Sequence, residues 1–131
     1  MDVFRNDKNL YDKYSGVIEL TSKDFKYING ELIIINPEFK NKDGLINFYA
    51  PWCSHCNTVV EMWSELAIQF KNKFIIASVN CENKKNQIIK IRANVDCYPT
   101  FKYISANGRL HNLDNIYKKD DFINFIAYKL I

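Results

Sequence analysis

Two of the four cysteines in this chain, Cys53 and Cys56, are spaced so that their thiols can do redox chemistry together. With two residues between them, the second sulfur can reach the first, either to close a disulfide or to resolve a mixed disulfide. The attacking species in this exchange is a thiolate, which the N–H groups and the dipole of a helix N-terminus stabilise. A pair at the start of a helix would therefore be a redox-active dithiol.

The same cysteines also allow two other interpretations. A zinc or iron–sulfur site normally needs a second closely spaced pair of ligands, whereas Cys81 and Cys97 are separated by a predicted helix. A purely structural disulfide between Cys53 and Cys56 would close a very small loop and add little stability. We favour redox chemistry that needs neither a metal nor an organic cofactor.

The hydrophobic pattern places the pair at a junction between two elements. Residues 45–50 (LINFYA) predict a buried strand that ends before Pro51. From Cys53 onward the period becomes helical, with one apolar face formed by Val59, Met62, Trp63, Leu66 and Phe70. A Cys-x-x-Cys pair at a strand-to-helix junction is a more specific signal than the spacing alone.

Strand and helix patterns alternate along the rest of the chain. Further strands are predicted at 17–20, 32–35, 74–79, 100–105 and 110–113, the last two joined by Asn107-Gly108, where both turn positions favour a positive φ. Three further helices are predicted. One follows a cap at Thr21 or Ser22 and carries Phe25 and Ile28, and a second covers 83–91 with Ile88 and Ile91 inward. The last starts at Asp120 or Asp121, and its inward residues are Phe122, Phe125, Ile126 and Leu130. This order predicts an α/β fold, a mixed central sheet with helices on both faces.

Length and composition limit the classes of protein to which this chain can belong. Its 131 residues, 47% of them hydrophobic, suit a single packed domain. The formal charge of +3 is spread along the chain, which argues against nucleic-acid binding. Frequent Asn, Lys and Ile with few Gly and Pro are typical of an AT-rich genome, such as that of a parasite, a protist or a large virus.

No targeting or membrane-spanning segment is recognisable in the sequence. Residues 1–10 lack the continuous apolar stretch of a signal peptide, and the longest apolar run, at 32–35, is far too short to cross a bilayer. We therefore expect a soluble protein that is cytoplasmic by default. A protein of the endoplasmic reticulum whose leader had been removed would look the same.

Residues 48–56, with the sequence FYAPWCSHC, resemble the active-site motif of the thioredoxin superfamily, and most closely the FYAPWCGHC of protein disulfide isomerase domains. Shorter matches lie at 63–67 (WSELA), at 79–81 (VNC) and at Val95 with 98–100 (YPT), so the resemblance runs from about residue 17 to the C-terminus. It implies a thioredoxin-like fold as a single domain over 1–131, with an N-terminal extension at 1–15 and an insertion at 31–42.

The resemblance also implies a role for each residue of the motif. Cys53 would be the exposed nucleophile and Cys56 the buried resolving cysteine. Pro99 would be a cis proline that faces the dithiol, and the backbone of Tyr98 would pair with an extended substrate strand. Trp52 would form a shelf over the site. An ordinary proline at the start of a strand and a core tryptophan are the alternatives for Pro99 and Trp52.

Two residues between the cysteines are expected to tune the redox potential. His55 stands where thioredoxins usually have proline and the isomerases have histidine, and an imidazolium there would stabilise the Cys53 thiolate. The resemblance therefore implies a potential nearer to about −180 mV, as in protein disulfide isomerase, than to about −270 mV, as in thioredoxin. Ser54 replaces the usual glycine, and its hydroxyl could donate to a sulfur. The alternative for His55 is an exposed side chain without consequence.

Asn47 and Cys97 depart from the family pattern. Asn47 occupies the position of a buried Glu or Asp beneath the second cysteine, and an amide cannot accept the proton of the resolving thiol. We expect slow ionisation of Cys56, unless Asn47 is simply a satisfied buried amide. Cys97 stands where the family has glycine, and is a third redox thiol, a partner of Cys81 or an inert thiol.

The sequence as a whole predicts a thiol–disulfide oxidoreductase like protein disulfide isomerase. Its substrates would be the thiols and disulfides of other proteins, and a separate redox partner would recycle it. The alternative is a thioredoxin-like binding or scaffold module with weak or no redox activity. Asn47 favours this alternative, because it replaces the acidic residue that the family has at this position.

Overall fold

The computed structural model describes residues 8–131, in which strands and helices alternate much as the sequence predicts. The strands are β1 (Ile18–Leu20), β2 (Phe25–Ile28), β3 (Glu31–Ile34), β4 (Gly44–Tyr49), β5 (Ile75–Asn80), β6 (Thr100–Ile104) and β7 (Leu110–Asn112). The helices are α1 (Ser54–Gln69), α2 (Gln87–Arg92) and α3 (Lys119–Lys129), with single 3₁₀ turns at Ser22–Asp24, Pro37–Phe39 and Lys84–Asn86. The first seven residues of the predicted N-terminal extension lie outside the described part.

Five strands form one mixed sheet in the order β1-β5-β4-β6-β7. The strands β1, β5 and β4 run parallel, whereas β6 and β7 are antiparallel to their neighbours. All six residues of β4 are buried, because this central strand is covered on both faces. Because β4 is the central strand, the chain that follows it leaves the sheet near the centre and not at an edge strand.

Helices cover both faces of the sheet, which confirms the predicted fold class. On one face Leu45 and Tyr49 of β4 belong to a core that includes Trp63 of α1 and Phe122 of α3. The residues of β4 that point to the other face belong to a second core, which contains Ile89 of α2 and apolar residues of β2 and β3. We call the first of these the α1 side of the sheet.

The helix predicted to carry Phe25 and Ile28 is wrong. The cap exists, since the carboxylate of Asp24 accepts the N–H of Thr21 at 2.8 Å, but only one 3₁₀ turn follows it. Phe25–Ile28 is instead the strand β2, which pairs with β3 in a separate two-stranded sheet. Asn29-Gly30 joins the two strands with φ of 51° and 78°, and two positive φ values are typical of a tight type I′ hairpin turn.

The hairpin of β6 and β7 is confirmed, but its turn differs from the prediction. Only Gly108 has a positive φ, of 84°, while Asn107 does not. The N–H of Gly108 donates to Ser105 at 2.8 Å and the N–H of Ser105 to Arg109 at 3.0 Å, which gives a three-residue loop with the glycine in a bulge.

The inward faces of the last two helices also need correction. Ile89 of α2 is buried, whereas Ile88 and Ile91 are 44% and 68% exposed, because a 3₁₀ turn precedes the helix and changes its phase. In α3 the predicted core residues Phe122 and Ile126 are fully buried, but Leu130 follows the end of the helix and is exposed.

Candidate active site

The strand β4 and the helix α1 together position the two sulfurs. After β4 the chain turns, with the N–H of Cys53 donating to the carbonyl of Ala50 at 3.1 Å, and Cys53 becomes the N-cap of α1. The main-chain N–H of Cys56 donates to the Sγ of Cys53 at 3.3 Å. A sulfur that accepts an N–H bond at the start of a helix is stabilised as an anion.

The two cysteines differ in their access to solvent. Cys53 is half-buried, while Cys56 is fully buried in the core on the α1 side. Burial is the main cause that raises the pKa of Cys56 to about 12, and its hydrogen bond with Cys53 adds to this effect. The outer sulfur is thus the one that a substrate can approach, and the inner thiol keeps its proton near neutral pH.

Tyr98, in the loop before β6, faces this pair and is followed by Pro99. The Tyr98–Pro99 peptide bond is cis, as the resemblance implies. The thiol of Cys53 lies 3.7 Å from the carbonyl oxygen of Tyr98 and donates to it. This carbonyl belongs to the main chain that we expect to pair with substrate, and it lies next to the sulfur that we expect to react.

Trp52 lies beside the same loop and is not a core tryptophan. The residue is 51% exposed, and its ring meets the ring of Tyr98 edge to face, with centroids 6.0 Å apart. Its indole N–H donates to the carboxylate of Glu82, a residue that the sequence reasoning missed. The two rings form an apolar surface next to Cys53.

The first two residues of α1, Ser54 and His55, are those expected to tune the redox potential. The side chains of Ser54 and His55 are exposed, and within residues 8–131 neither makes a hydrogen bond to a sulfur. Asn57, which stands after the second cysteine where the family has lysine, has a role in the turn that the sequence did not indicate. Its amide donates to the carbonyls of Pro51 and Cys53, at 2.9 and 2.8 Å, and so fixes the turn that carries the dithiol.

Asn47 is fully buried on β4, and its amide is only half satisfied. Its Nδ2 donates to the hydroxyl of Tyr11 at 3.1 Å, while its Oδ1 has no hydrogen-bond partner among the described residues. Tyr11 is itself buried, and its ring packs edge to face on Tyr49 with centroids 5.4 Å apart. Residues that we expected to form part of an extension therefore contribute to the core next to Cys56.

A half-buried residue, Glu19, whose Oε2 atom is fully buried, lies on the same side of the sheet and was also missed. The hydroxyl of Tyr49 donates to its Oε1 at 2.7 Å, and the N–H of Leu10 donates to the hydroxyl of Tyr49 at 3.1 Å. Burial raises the pKa of Glu19 to about 7, although the hydrogen bond from Tyr49 and the nearby Ser78 offset part of that rise. A single charged residue within the apolar stretch VIEL was the available signal.

The remaining two cysteines are not joined to each other in this structure, where all four are free thiols. Cys81 is buried, and burial raises its pKa to about 12, while a hydrogen bond with the Tyr98 side chain acts in the opposite direction. Cys97 is exposed next to Tyr98, with its sulfur 3.7 Å from the hydroxyl of Thr100.

Two searches of the described residues concern metals and membranes. Within residues 8–131, no three side chains of His, Cys, Asp or Glu come together in a way that could hold a metal ion. In the same part of the chain, no helix combines the length and the apolar character that crossing a membrane requires.

The fold and the place of the dithiol define a thioredoxin-like protein. A family model described as Thioredoxin matches residues 8–128, and the chain belongs to that family. The protein disulfide-isomerase of Ricinus communis is 30% identical over 119 residues, which are 88% of this chain and 23% of that protein. Protein disulfide-isomerase A6 of Mus musculus is 34% identical over 100 residues, which are 75% of this chain and 20% of that protein. The chain thus spans about a quarter or less of the length of these relatives.

Solved structures confirm the thioredoxin-like fold. The long form of thioredoxin f from spinach chloroplast superimposes with a TM-score of 0.68 at 19% identity, covering 87% of this chain and 86% of that one. The J-Trx1 fragment of ERdj5 superimposes with a TM-score of 0.66 at 18% identity, covering 88% of this chain and 50% of that one.

Proposed function

We propose that this chain is a thiol–disulfide oxidoreductase, similar to a protein disulfide isomerase domain, with Cys53 as nucleophile and Cys56 as resolving thiol. The observation that carries the proposal is the environment of the Cys53 sulfur. That sulfur is accessible, it accepts the N–H of Cys56 at 3.3 Å, and it lies 3.7 Å from the carbonyl of Tyr98. Family membership and the named isomerase relatives support the same activity.

The exchange needs only the two sulfurs. The thiolate of Cys53 attacks a substrate disulfide, forming a mixed disulfide and releasing one substrate thiolate. Cys56 then loses its proton and attacks the sulfur of Cys53, which releases the second substrate thiolate and leaves a Cys53–Cys56 disulfide. The substrate has gained two electrons and the chain has lost two. Run in reverse, the same steps oxidise a substrate dithiol.

The surface around Cys53 suits an extended polypeptide as substrate. The main chain of Tyr98 can pair with a substrate strand, which is β-augmentation on a small scale. The exposed ring of Trp52 and the ring of Tyr98 offer apolar contact on one side of the sulfur. Protein thiols and disulfides are therefore the proposed substrates, and a second dithiol protein or glutathione is the proposed recycling partner.

Turnover assays with matched cysteine variants test this function. Reduction of insulin and refolding of scrambled ribonuclease should both be catalysed by the wild-type chain. Cys53→Ser should abolish both activities, whereas Cys97→Ser, which also removes a solvent-accessible thiol, should leave them within about twofold. Equal loss in the two variants, or no activity in the wild type at any pH, would exclude the proposed chemistry.

A binding module without turnover is the second candidate, and the buried amide of Asn47 favours it. Such a module would hold an unfolded polypeptide equally well in the wild type and in the Cys53→Ser variant, because no covalent bond would contribute. Calorimetry can measure the affinity of both proteins for a cysteine-free peptide. Equal affinities, together with no turnover in the insulin assay, would identify a binding module.

The reduction potential of the Cys53–Cys56 couple would indicate the direction of exchange and the compartment to which the domain is suited. A value near about −180 mV would fit oxidative folding in the endoplasmic reticulum, and a value near about −270 mV would fit a cytoplasmic reductase. The two values differ by about 4 kcal/mol for a two-electron couple. Equilibration in glutathione buffers, followed by trapping of free thiols, gives this potential.

A further inference from the structure

A row of polar side chains crosses the sheet on the α1 side, and the exchange described above does not use one end of it. Glu19 on β1 is paired in register with Ser78 on β5, and Ser78 is paired with Asn47 on β4. Side chains that are directly opposite on neighbouring strands point to the same face. Three polar groups therefore lie side by side on the face of the sheet that carries the core with Cys56, and burying their polar atoms is costly unless these are hydrogen-bonded.

Two tyrosines connect this row to the core that contains Cys56. The hydroxyl of Tyr49 holds one oxygen of Glu19 at 2.7 Å, and the hydroxyl of Tyr11 accepts the amide of Asn47 at 3.1 Å. Both rings pack in the same core as Cys56. The hydroxyl of Tyr11 is close enough to both the Glu19 carboxylate and the Cys56 thiol for their charges to act on it.

The row contains one unused oxygen that can take up a proton. Glu19 Oε2, Ser78 Oγ and Asn47 Oδ1 are all buried, and none makes a hydrogen bond within 3.5 Å in residues 8–131. The Ser78 hydroxyl and the main chain of Asn80 are nevertheless close enough to the Glu19 carboxylate to favour its charged form. An amide oxygen is not a base near neutral pH, whereas a carboxylate is. Of the groups in the row, only Glu19 can therefore store a proton.

We propose that Glu19 accepts the proton that Cys56 loses when it resolves a mixed disulfide, with the hydroxyl of Tyr11 as the intermediate group. This proposal rests on the proposed exchange between Cys53 and Cys56. In the resolving step, the bond between Cys53 and the substrate sulfur breaks, the Cys53–Cys56 bond forms and the substrate thiolate leaves. The thiol proton moves to Tyr11 as the phenol proton moves to Glu19, and no other reactant is needed. Glu19 does not touch the sulfurs and is a positioning residue.

The charge environment fits this assignment. Cys56 holds its proton tightly, with a pKa raised to about 12 mainly by burial, so a base near it has a large effect. Burial raises the pKa of Glu19 to about 7, which suits a group that takes and returns a proton near neutral pH. The titratable groups that face it are Tyr49 from β4, Tyr11 from the N-terminal segment and Cys81 after β5.

Reaction with 5,5′-dithiobis(2-nitrobenzoate) separates the two thiol steps. Attack by Cys53 releases one thionitrobenzoate, and attack by Cys56 on the resulting mixed disulfide releases a second one. The exposed thiol of Cys97 would add a third signal, so the experiment uses the full chain with Cys97→Ser. Stopped-flow absorbance across pH 5.5 to 9 then gives a pH profile for each step.

Glu19→Gln should slow the second release by about a hundredfold at pH 7.5, the lower end of what a positioned acid–base group contributes. It should also remove the inflection near pH 7 from the profile of that step. The first release should stay within twofold. The glutamine oxygen can still accept the hydroxyl of Tyr49, so the fold is retained, and far-UV circular dichroism checks this. Tyr11→Phe should slow the same step, and the effects of the two substitutions should not add.

Two further variants make the result decisive. Asn47→Asp in the Glu19→Gln chain places a carboxylate elsewhere in the row, and it should restore the second release at least tenfold. Glu38→Gln, which removes an exposed carboxylate in the turn after β3, should change neither step. An unchanged profile of the second step in Glu19→Gln would overturn the proposal. Absence of the first release in the parent chain would instead overturn the function on which it rests.

Discussion

The main-chain N–H of Cys56 points at the sulfur of Cys53 from 3.3 Å, so the resolving residue also supports the nucleophile. This bond is a property of the backbone, and substitution of the Cys56 side chain leaves it in place. The two functions of Cys56 can therefore be separated by mutation.

Cys56→Ser should accumulate mixed disulfides with substrate. Cys53 keeps the N–H bond that stabilises its thiolate and still attacks, but no thiol follows to release the product. Mass spectrometry after mixing with a disulfide-containing peptide should show a covalent adduct in nearly all of the protein. Cys53→Ser is the control and should give none, and an adduct in both variants would place the nucleophile elsewhere.

His55→Pro should move the reduction potential toward the thioredoxin value of about −270 mV. The side chain is exposed beside the dithiol, and an imidazolium at that position favours the thiolate and hence the reduced form. Glutathione equilibration of the wild type and the variant measures the change. His111→Gln, at the other histidine of the chain, on β7, should not alter the potential. A shift below 10 mV in His55→Pro would show that the residue has no role in redox tuning.

Glu19 should make the folded chain less stable as the pH rises. Its pKa is raised by burial from 4.5 to about 7, so between these values the folded chain holds a proton that the unfolded chain has lost. Stability from this group is therefore lost as the pH rises through that window, by up to about 3 kcal/mol. Glu19→Gln should flatten the dependence, which urea denaturation at pH 5 and pH 8 would measure. Parallel loss of stability in both proteins would contradict the prediction.

Gly30→Ala should destabilise the hairpin of β2 and β3 by about 1–2 kcal/mol, through the backbone alone. The residue has φ of 78°, and an added Cβ would meet no atom within 4 Å. Gly108→Ala should cost more, because φ is 84° and its Cβ would also lie 2.3 Å from the carbonyl oxygen of Ile34. Urea denaturation of both variants gives the comparison, and equal costs would argue against the clash at Gly108.

The sequence was sufficient for the features that local signals encode. The dithiol at the end of β4, the long helix after it and the order of the buried strands all follow from spacing and periodicity. The pair Asn29-Gly30 carried the same kind of signal for a hairpin, but the cap at Thr21 suggested a helix first. One turn of cap geometry is too short to outweigh a tight turn between two strands.

Tyr11 and Glu19 could not be assigned in the same way. Tyr11 stands among charged residues without periodicity, and its burial depends on where the segment from residue 8 packs. Glu19 lies in a strand that alternation alone would leave with one wet face. That face is partly covered because the Tyr49 hydroxyl holds the carboxylate and Tyr11 packs on Tyr49, which is a tertiary effect and not visible in a single strand.

The anchoring of Tyr11 has a mechanical consequence. Its hydroxyl accepts a hydrogen bond from Asn47, so we expect a pull on the chain ahead of residue 8 to reach the core residues next to Cys56. A truncation that begins at Gly16 would remove Tyr11 and leave a cavity in the core that contains Cys56. We therefore expect a tag attached ahead of residue 8 to disturb the dithiol more than one attached at the exposed Ile131.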